Sequence, residues 1–414
     1  MPTLIKPLRG LRPAAGRAAD IIAPPYDVLN SAEARQRAAG KPASFLHVSK
    51  AEIDLPEGID VHDPQVYARA AENFRAMVAD GLLVRDPTPC YYVYRLRMGD
   101  HVQTGLVCAG SVAAYDANRI RKHEYTRPDK EDDRVCQITA LHAQTGPVLL
   151  AYRASTAVRD ILAAVTAGKA PLYEVTADDG IGHVLWLVDD AATIGRLTGL
   201  FEAMDALYIA DGHHRSAAAS RVAAGLRAAD PAAGNDAPYE HFLCVAFPHD
   251  EMKILDYNRV VRDLNGHGTE SFLAAIGKRF EIEPSAGRLR PARPAEFGMY
   301  LGGRWHRLRI RRELVPADPV ASLDVSLLQD NLLAPLLGIT DPRTDRRIDF
   351  VGGMRGLGEL EKRVGSGEMA VAFALYPTSM SALMAVADAN QVMPPKSTWF
   401  EPKLADGLVS HGLD

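Results

Sequence analysis

A short apolar run, Ala206–Ala210, leads straight into Asp211-Gly212-His213-His214-Arg215, and the alanine-rich stretch Ser216–Ala229 follows without a gap. The first part reads as a buried strand and the last strongly favours helix, so four polar residues and one glycine must make the whole passage between them. Gly212 permits a tight exit from the strand and a close backbone approach. The amides opening the helix have no intrahelical partner and carry partial positive charge, which suits a phosphate or a carboxylate. Arg215 adds a planar fork for oxyanions, and the two imidazoles add donors that can also shuttle protons. The bland alternative is a capped helix start with surface histidines. Three functional side chains at one junction favour the anion site. His213 and His214 are adjacent and lack both an HExxH frame and a cysteine companion, so no metal-ligand set is expected there.

The rest of the chain must be large enough to hold such a junction rigid. It has 414 residues, 47% hydrophobic and 24% charged, with a net charge of −5. That length suggests two or three domains, or one large domain with insertions. Mild acidity argues against a protein that coats nucleic acid or a membrane surface. The four cysteines, Cys90, Cys108, Cys136 and Cys244, form no CxxC pair. Neither a zinc knuckle nor a disulfide scaffold is expected, and a reducing cytoplasm fits best. The N-terminus is basic but broken by prolines, unlike a secretory signal, and no apolar run is long enough for a transmembrane helix. Of the 47 basic residues 36 are arginine. The few lysines inside dense motifs, Lys130, Lys396 and Lys403, therefore stand out.

Strand and helix signals alternate without a fixed repeat. Asp63-Pro64 reads as an N-cap followed by Pro at the first helical position, and apolar residues recur at helical spacing to Gly81. Tyr91–Met98 and Val102–Val112 read as a hairpin about Gly99-Asp100, and a second pairs Leu172–Thr176 with His183–Val188. The stretch from Arg119 to Arg134 is too charged to be core. Pro284–Pro294 reads as a link between parts of the molecule. The mixture is α+β rather than a run of βαβ units.

Other dense segments accompany the junction. Ala23-Pro24-Pro25-Tyr26-Asp27-Val28 fixes an extended path ending on Tyr26 and Asp27, equally a turn or a site. His123-Glu124-Tyr125-Thr126, with Lys130 and Asp133-Arg134, offers acid, base and cation, or a solvated loop. Asp256-Tyr257-Asn258-Arg259 and Arg343–Arg347 are surface or the edge of a cleft. The tail Pro394–Lys403 carries three prolines around Lys396, Ser397, Thr398, Trp399 and Glu401, too ordered a composition for a frayed end. Lys396-Ser397-Thr398 lacks the glycines of a phosphate-binding loop. Gly352–Gly358 is not GxGxxG, which gives a Rossmann site little support.

Taken in order, APPYDV, HEYT, ADGHHR, DYNRVV, RTDRRIDFVGG and MPPKSTWFEPKL resemble domain-of-unknown-function family 1015, over residues 21 to about 405. That family in turn resembles the free-serine kinases of the ParB/sulfiredoxin superfamily, the link resting mainly on Asp211–Arg215. Where relatives often carry an aromatic residue after this turn, the chain has Ser216-Ala217. The resemblance implies an α+β fold of mixed sheets with a ParB/sulfiredoxin-like nucleotide-binding core over 1–262. A C-terminal α/β extension over 263–414 is implied, its tail (393–405) returning to the site. It implies a kinase that uses ATP or ADP with Mg²⁺ to phosphorylate the hydroxyl of free L-serine. Gly212, His213, His214 and Arg215 are then expected on the phosphates. Asp27, Glu124 or Asp211 is the base, and Lys396 acts in catalysis. Tyr26, His123, Arg134, Ser397, Thr398, Trp399 and Glu401 are expected around the substrate, Arg134 and Lys396 as clamps on a carboxylate or the phosphoryl group. No membrane or nucleic-acid partner is expected, and the location is cytoplasmic. Two rival readings stand: a ParB-like nucleotide-binding switch without metabolite kinase activity, and a phosphate-ester hydrolase.

Overall fold

Leu207, Tyr208, Ile209 and Ala210 are all buried, and Asp211 is the first residue of its strand to reach solvent. A strand covered on both faces reads as a continuous apolar run, which is why the sequence marks it so clearly. Leu207 and Ile209 each contribute about 1.5–3 kcal/mol by burial. The computed structural model that shows this describes residues 3–232, 234 and 236–414.

The strand Leu207–Asp211 lies in a nine-stranded mixed sheet, between Ile120–Arg121 and Val148–Tyr152. It runs parallel to the first and antiparallel to the second. The order continues through His241–Pro248, His101–Ser111, Tyr91–Met98, Gly182–Val188 and Tyr173–Thr176, with Ile5–Lys6 also pairing to His101–Ser111. Helix His213–Ala229 packs Ala217, Ala218, Ala219, Val222 and Ala223 into the core formed by this sheet. Its small side chains let the helix sit close, so its first turn is held firmly at the strand end. A second core gathers Phe45, Phe74, Met77 and Leu83 beside helix Pro64–Ala79.

The chain divides into two units. One comprises Met1–Met252 with Pro402–Asp414, the other Lys253–Glu401. In the first, the C-terminal strand Ser410–Gly412 is sandwiched between Gly10–Pro13 and Ala143–Gln144. The second contains a six-stranded antiparallel sheet in the order Phe280–Ser285, Arg304–Ile310, Glu296–Leu301, Val371–Leu375, Tyr257–Val261, Ile348–Gly352. It also pairs Lys253–Leu255 with Trp399–Glu401. The fold is α+β with mixed sheets. No helix among the described residues is long and apolar enough to cross a membrane.

Local signals translate well. Asp63 accepts from the Gln65 amide at 2.9 Å and caps the helix that Pro64 opens. Both expected hairpins form, as Tyr91–Met98 with His101–Ser111 and Tyr173–Thr176 with Gly182–Val188. Two expectations fail. Pro284–Pro294 is no link between parts of the molecule, because it joins strands of one sheet inside the second unit. The charged stretch ending at Arg134 is not all surface loop either. Pro128 starts a helix, Pro128–Leu141, with Asp129 and Glu131 in its first turn, where carboxylates favour the helix dipole. Asp133, Gln137, Ile138 and Leu141 form its buried face. Its charges are matched across the interface: Arg221 of the His213–Ala229 helix meets Glu131 at 3.2 Å and Asp132 at 2.8 Å.

Candidate functional site

Gly212 makes the strand-to-helix passage with φ +96°, where a side chain is strained. A Cβ there would also stand 3.1 Å from the Arg215 guanidinium and 3.3 Å from Val148 Cα. Gly212→Ala should therefore destabilise the chain by about 1–2 kcal/mol, read as the loss in urea unfolding free energy. An unchanged midpoint would show that the turn relaxes freely.

Among the described residues, no side-chain hydrogen bond caps the helix at Gly212. Asp211 folds back, its Oδ1 accepting from the Gly212 amide at 2.9 Å. Its Oδ2 accepts from Lys403 Nζ at 3.1 Å and lies 3.6 Å from Arg215 Nη2. Burial alone would raise its pKa, but Lys403 and Arg215 hold the carboxyl well below the usual range. Arg215 also donates from Nη1 to the Pro147 carbonyl and approaches Asp27 Oδ2 at 3.9 Å. Burial works against its charge, and Asp211 and Asp27 maintain it.

A pocket opens beside Arg215. Tyr26, Arg134, Gln137, Gly146 and Asp406 share its wall with Arg215. Arg134 lies over the Tyr26 ring, 3.8 Å from its centroid, and donates from Nε and Nη2 to Asp133 Oδ2 at 2.9 and 2.6 Å. Asp133 is itself anchored by the Tyr67 hydroxyl at 2.8 Å. Burial pushes the Tyr26 phenol up to about 12, so it stays a neutral donor. Gly146 matters by its bareness: a Cβ would stand 3.4 Å from Arg215 Cδ and 3.6 Å from Asp406 Oδ1, inside the pocket.

Asp406 is held by backbone pairing, its N–H donating to Ala23 and its carbonyl accepting from Ala23, at 2.9 and 3.1 Å. Its buried Oδ1 has no hydrogen-bond partner among the described residues. Burial lifts this carboxyl to about 7, against the lowering pull of Arg215. An acid so poised takes up and releases a proton near neutrality.

His213 is buried, and its Nε2 accepts from the His123 amide at 3.4 Å. Glu124 Oε2 lies 4.0 Å from its Nδ1. Burial, then the neighbouring His123, drives its pKa well down. Burial likewise takes His123 down to about 4. His214 is used differently from the expected phosphate donor. Its Nε2 accepts from the Arg127 amide at 3.1 Å, pinning the loop before helix Pro128–Leu141. Only its Nδ1 is left to donate.

Of the residues singled out in the sequence, the first unit holds Tyr26, Asp27, His123, Glu124, Arg134 and Asp211–Arg215. The tail residues Lys396, Ser397, Thr398, Trp399 and Glu401 belong to the second unit. There the Lys396 carbonyl accepts from Arg259 Nη2 at 2.9 Å and its ammonium lies 5.6 Å from the Tyr257 ring centre. The Ser397 hydroxyl donates to the Pro394 carbonyl at 2.5 Å, and its own carbonyl accepts from Thr378 at 2.8 Å. Trp399 donates to Glu401 at 2.8 Å and packs edge-on against Tyr257. Thr398 follows Ser397 directly in this segment. Sequence reasoning marked Lys403 only as an unusual lysine and missed Asp406. Lys403 closes the tail motif and Asp406 lies just beyond it, and nothing local tells a tail carboxylate that it will be buried.

The family described as "Protein of unknown function (DUF1015)" matches residues 5–326. The chain belongs to that family. The DUF1015 match takes in APPYDV, HEYT, ADGHHR and DYNRVV and ends before the tail motif. No curated protein matches this DUF1015 chain. Among solved structures it is similar to a free serine kinase in complex with AMP, at 13% identity and TM-score 0.33, over 72% of this chain and 86% of that one. It is similar to SbnI with C-terminal truncation from Staphylococcus aureus, at 11% identity and TM-score 0.38, over 72% and 85%. A conserved hypothetical protein from Pyrococcus furiosus gives 12% identity and TM-score 0.33, over 73% and 93%.

Proposed function

We propose that the first unit is a nucleotide-dependent kinase that phosphorylates the hydroxyl of a small free amino acid, L-serine being the first acceptor to test. One observation carries the reading: the uncapped N-terminus of helix His213–Ala229 lies next to Arg215, and Arg215 also forms the wall of a pocket holding Arg134 and Asp406. An anion cradle and a small-molecule pocket thus share one guanidinium. The resemblance of Asp211–Arg215 to the turn of free-serine kinases supports the same assignment.

The charges fit a nucleotide brought in with a cation. Arg134, Arg215 and Lys403 are balanced by Asp133, Asp27 and Asp211. That leaves mainly the helix dipole, roughly half a charge, to face a polyphosphate. Bound Mg²⁺ would neutralise the remaining phosphate charge, and the Asp27 carboxylate, 41% exposed, is an oxygen donor suited to it. ATP and ADP both meet this description.

Each protein group then has a task. The first-turn amides, Arg215 and Lys403 hold phosphate oxygens, and Arg134 orients the amino acid's carboxylate. Asp406 receives the hydroxyl proton as the acceptor oxygen attacks phosphorus. Asp211 is a poor base, since Gly212 and Lys403 engage both of its oxygens. Catalysis of this kind rests on positioning and charge stabilisation.

The test is purified protein incubated with Mg²⁺, ATP or ADP, and free amino acids, with products read by mass spectrometry. O-phosphoserine should form only when nucleotide and Mg²⁺ are both present. Failure to phosphorylate any amino acid, with nucleotide still bound, would turn the reading to a binding switch. Phosphate release from O-phosphoserine without nucleotide would turn it to a hydrolase.

A further inference from the structure

The geometry points to a binding site for a divalent first-row transition cation of the Zn²⁺ or Co²⁺ type, formed by His123, Glu124 and His213. One ligand atom from each of these residues lies within 4.8 Å of the other two. The imidazoles meet edge to face with centroids 4.5 Å apart, and the Glu124 carboxylate stands 4.0 Å from His213 Nδ1. The spacing rules for zinc motifs miss this set, because an irregular segment and a helix ninety positions apart supply its halves.

A second observation concerns His123 alone. It is 1% exposed, and neither of its ring nitrogens makes a well-formed hydrogen bond among the described residues, the Ile209 backbone being the one polar group that acts on the ring. Buried polar atoms are seldom left so, and an absent ligand is one of the few explanations. A metal ion supplies one here because this ring already belongs to the cluster.

The donor types select the ion. Two imidazoles and one carboxylate suit zinc, cobalt and their neighbours, whereas Mg²⁺ favours an all-oxygen shell and keeps much of its water. Three protein ligands leave a coordination position for water or a phosphate oxygen. Glu124, 43% exposed, forms the entry side in the irregular segment before helix Pro128–Leu141. Ligands 2.0–2.2 Å from a tetrahedral ion stand roughly 3.3–3.6 Å apart, so ligand atoms within 4.8 Å of one another close by about 1.5 Å at most on binding. One contact opposes this. Metal on His213 Nδ1 requires the Nε2–H tautomer, which loses the acceptance of the His123 amide. At 3.4 Å that bond is already long and weak.

Binding stands on this geometry alone, while delivery of the open position to a nucleotide phosphate rests on the kinase reading. The test uses untagged, EDTA-stripped protein titrated with Co²⁺ and followed by its visible d–d absorption. One Co²⁺ per chain should give bands that Zn²⁺ displaces. His123→Gln should weaken binding at least a hundredfold and Glu124→Gln at least tenfold, with far-ultraviolet circular dichroism unchanged. Should His123→Gln not fold, Glu124→Gln at its exposed position decides the matter. Absence of bands at stoichiometric Co²⁺, or wild-type binding by Glu124→Gln, would overturn the site. ATP titration of the stripped protein, with EDTA removed and Mg²⁺ present, separates the two ideas: nucleotide binding without Co²⁺ binding removes only the metal site, and Co²⁺ binding without nucleotide binding removes only the kinase.

Discussion

Asp406→Asn is expected to slow phosphoryl transfer by about 10²–10⁴ while changing nucleotide affinity much less, because a base acts on the acceptor proton and not on the phosphates. Asparagine keeps the shape and leaves the backbone pairing with Ala23 untouched. The pH dependence gives a second signature. With the carboxyl raised to about 7, the parent should gain activity as pH rises through neutrality, and the variant should lose that limb. Stability should move the opposite way. Between the unfolded value near 4 and the folded value near 7, the folded chain holds a proton that the unfolded chain has released. Stability therefore falls as pH rises across that window, by an amount on the order of 4 kcal/mol for a shift of this size. Asp406→Asn removes this dependence, so the variant should be the more stable protein at pH 8 and the less active one. Urea unfolding at pH 5 and pH 8, beside turnover at both, checks the pair. A variant with parental turnover would assign the base elsewhere, with Glu124 and Asp27 next in line.

The junction at Asp211–Arg215 was legible because its physics is local. An apolar strand, one glycine and an alanine-rich helix leave a single way to connect, and the exposed first turn follows. The hairpin about Gly99-Asp100 and the cap at Asp63 were legible for the same reason. Helix Pro128–Leu141 was not, since its buried positions include Asp133 and Gln137, which a hydrophobic pattern counts as surface. Those residues are tolerated inside because Arg134, Tyr67 and the Val48 carbonyl satisfy them, partners that no window of sequence contains. His123 misled in the same direction: a histidine among charges reads as solvated, yet it is buried. The tail shows the reverse failure. Its density marked it as ordered, but its members divide at Glu401 and Pro402 between the two units. The cation that meets Asp211 is Lys403, seven positions beyond the lysine chosen from sequence.

Arg215→Ala should destabilise the chain by about 1.5–3 kcal/mol, because it removes a nearly buried guanidinium that bonds the Pro147 carbonyl and faces two partly exposed carboxylates. The guanidinium is 11% exposed and serves the Pro147 carbonyl, Asp211 and Asp27 together. Its loss leaves Asp27 without its nearby cation, while Asp211 keeps Lys403. Asp406 also loses the strongest influence lowering its pKa, so its proton should be held to higher pH still. The destabilisation of Arg215→Ala should accordingly be greater at pH 8 than at pH 6, where Asp406 is already largely protonated. Arg215→Lys separates charge from shape. It restores the positive charge but not the planar fork that bridges the cradle and the pocket. Most of the stability should return, while nucleotide binding stays roughly 10- to 150-fold weaker, as expected for a charge-assisted contact of about 1.5–3 kcal/mol. Urea unfolding at the two pH values and nucleotide titration of both variants measure these separately. Parental stability in Arg215→Ala would mean that the surrounding carboxylates relax to water, and parental nucleotide affinity in Arg215→Lys would place the phosphates away from this helix.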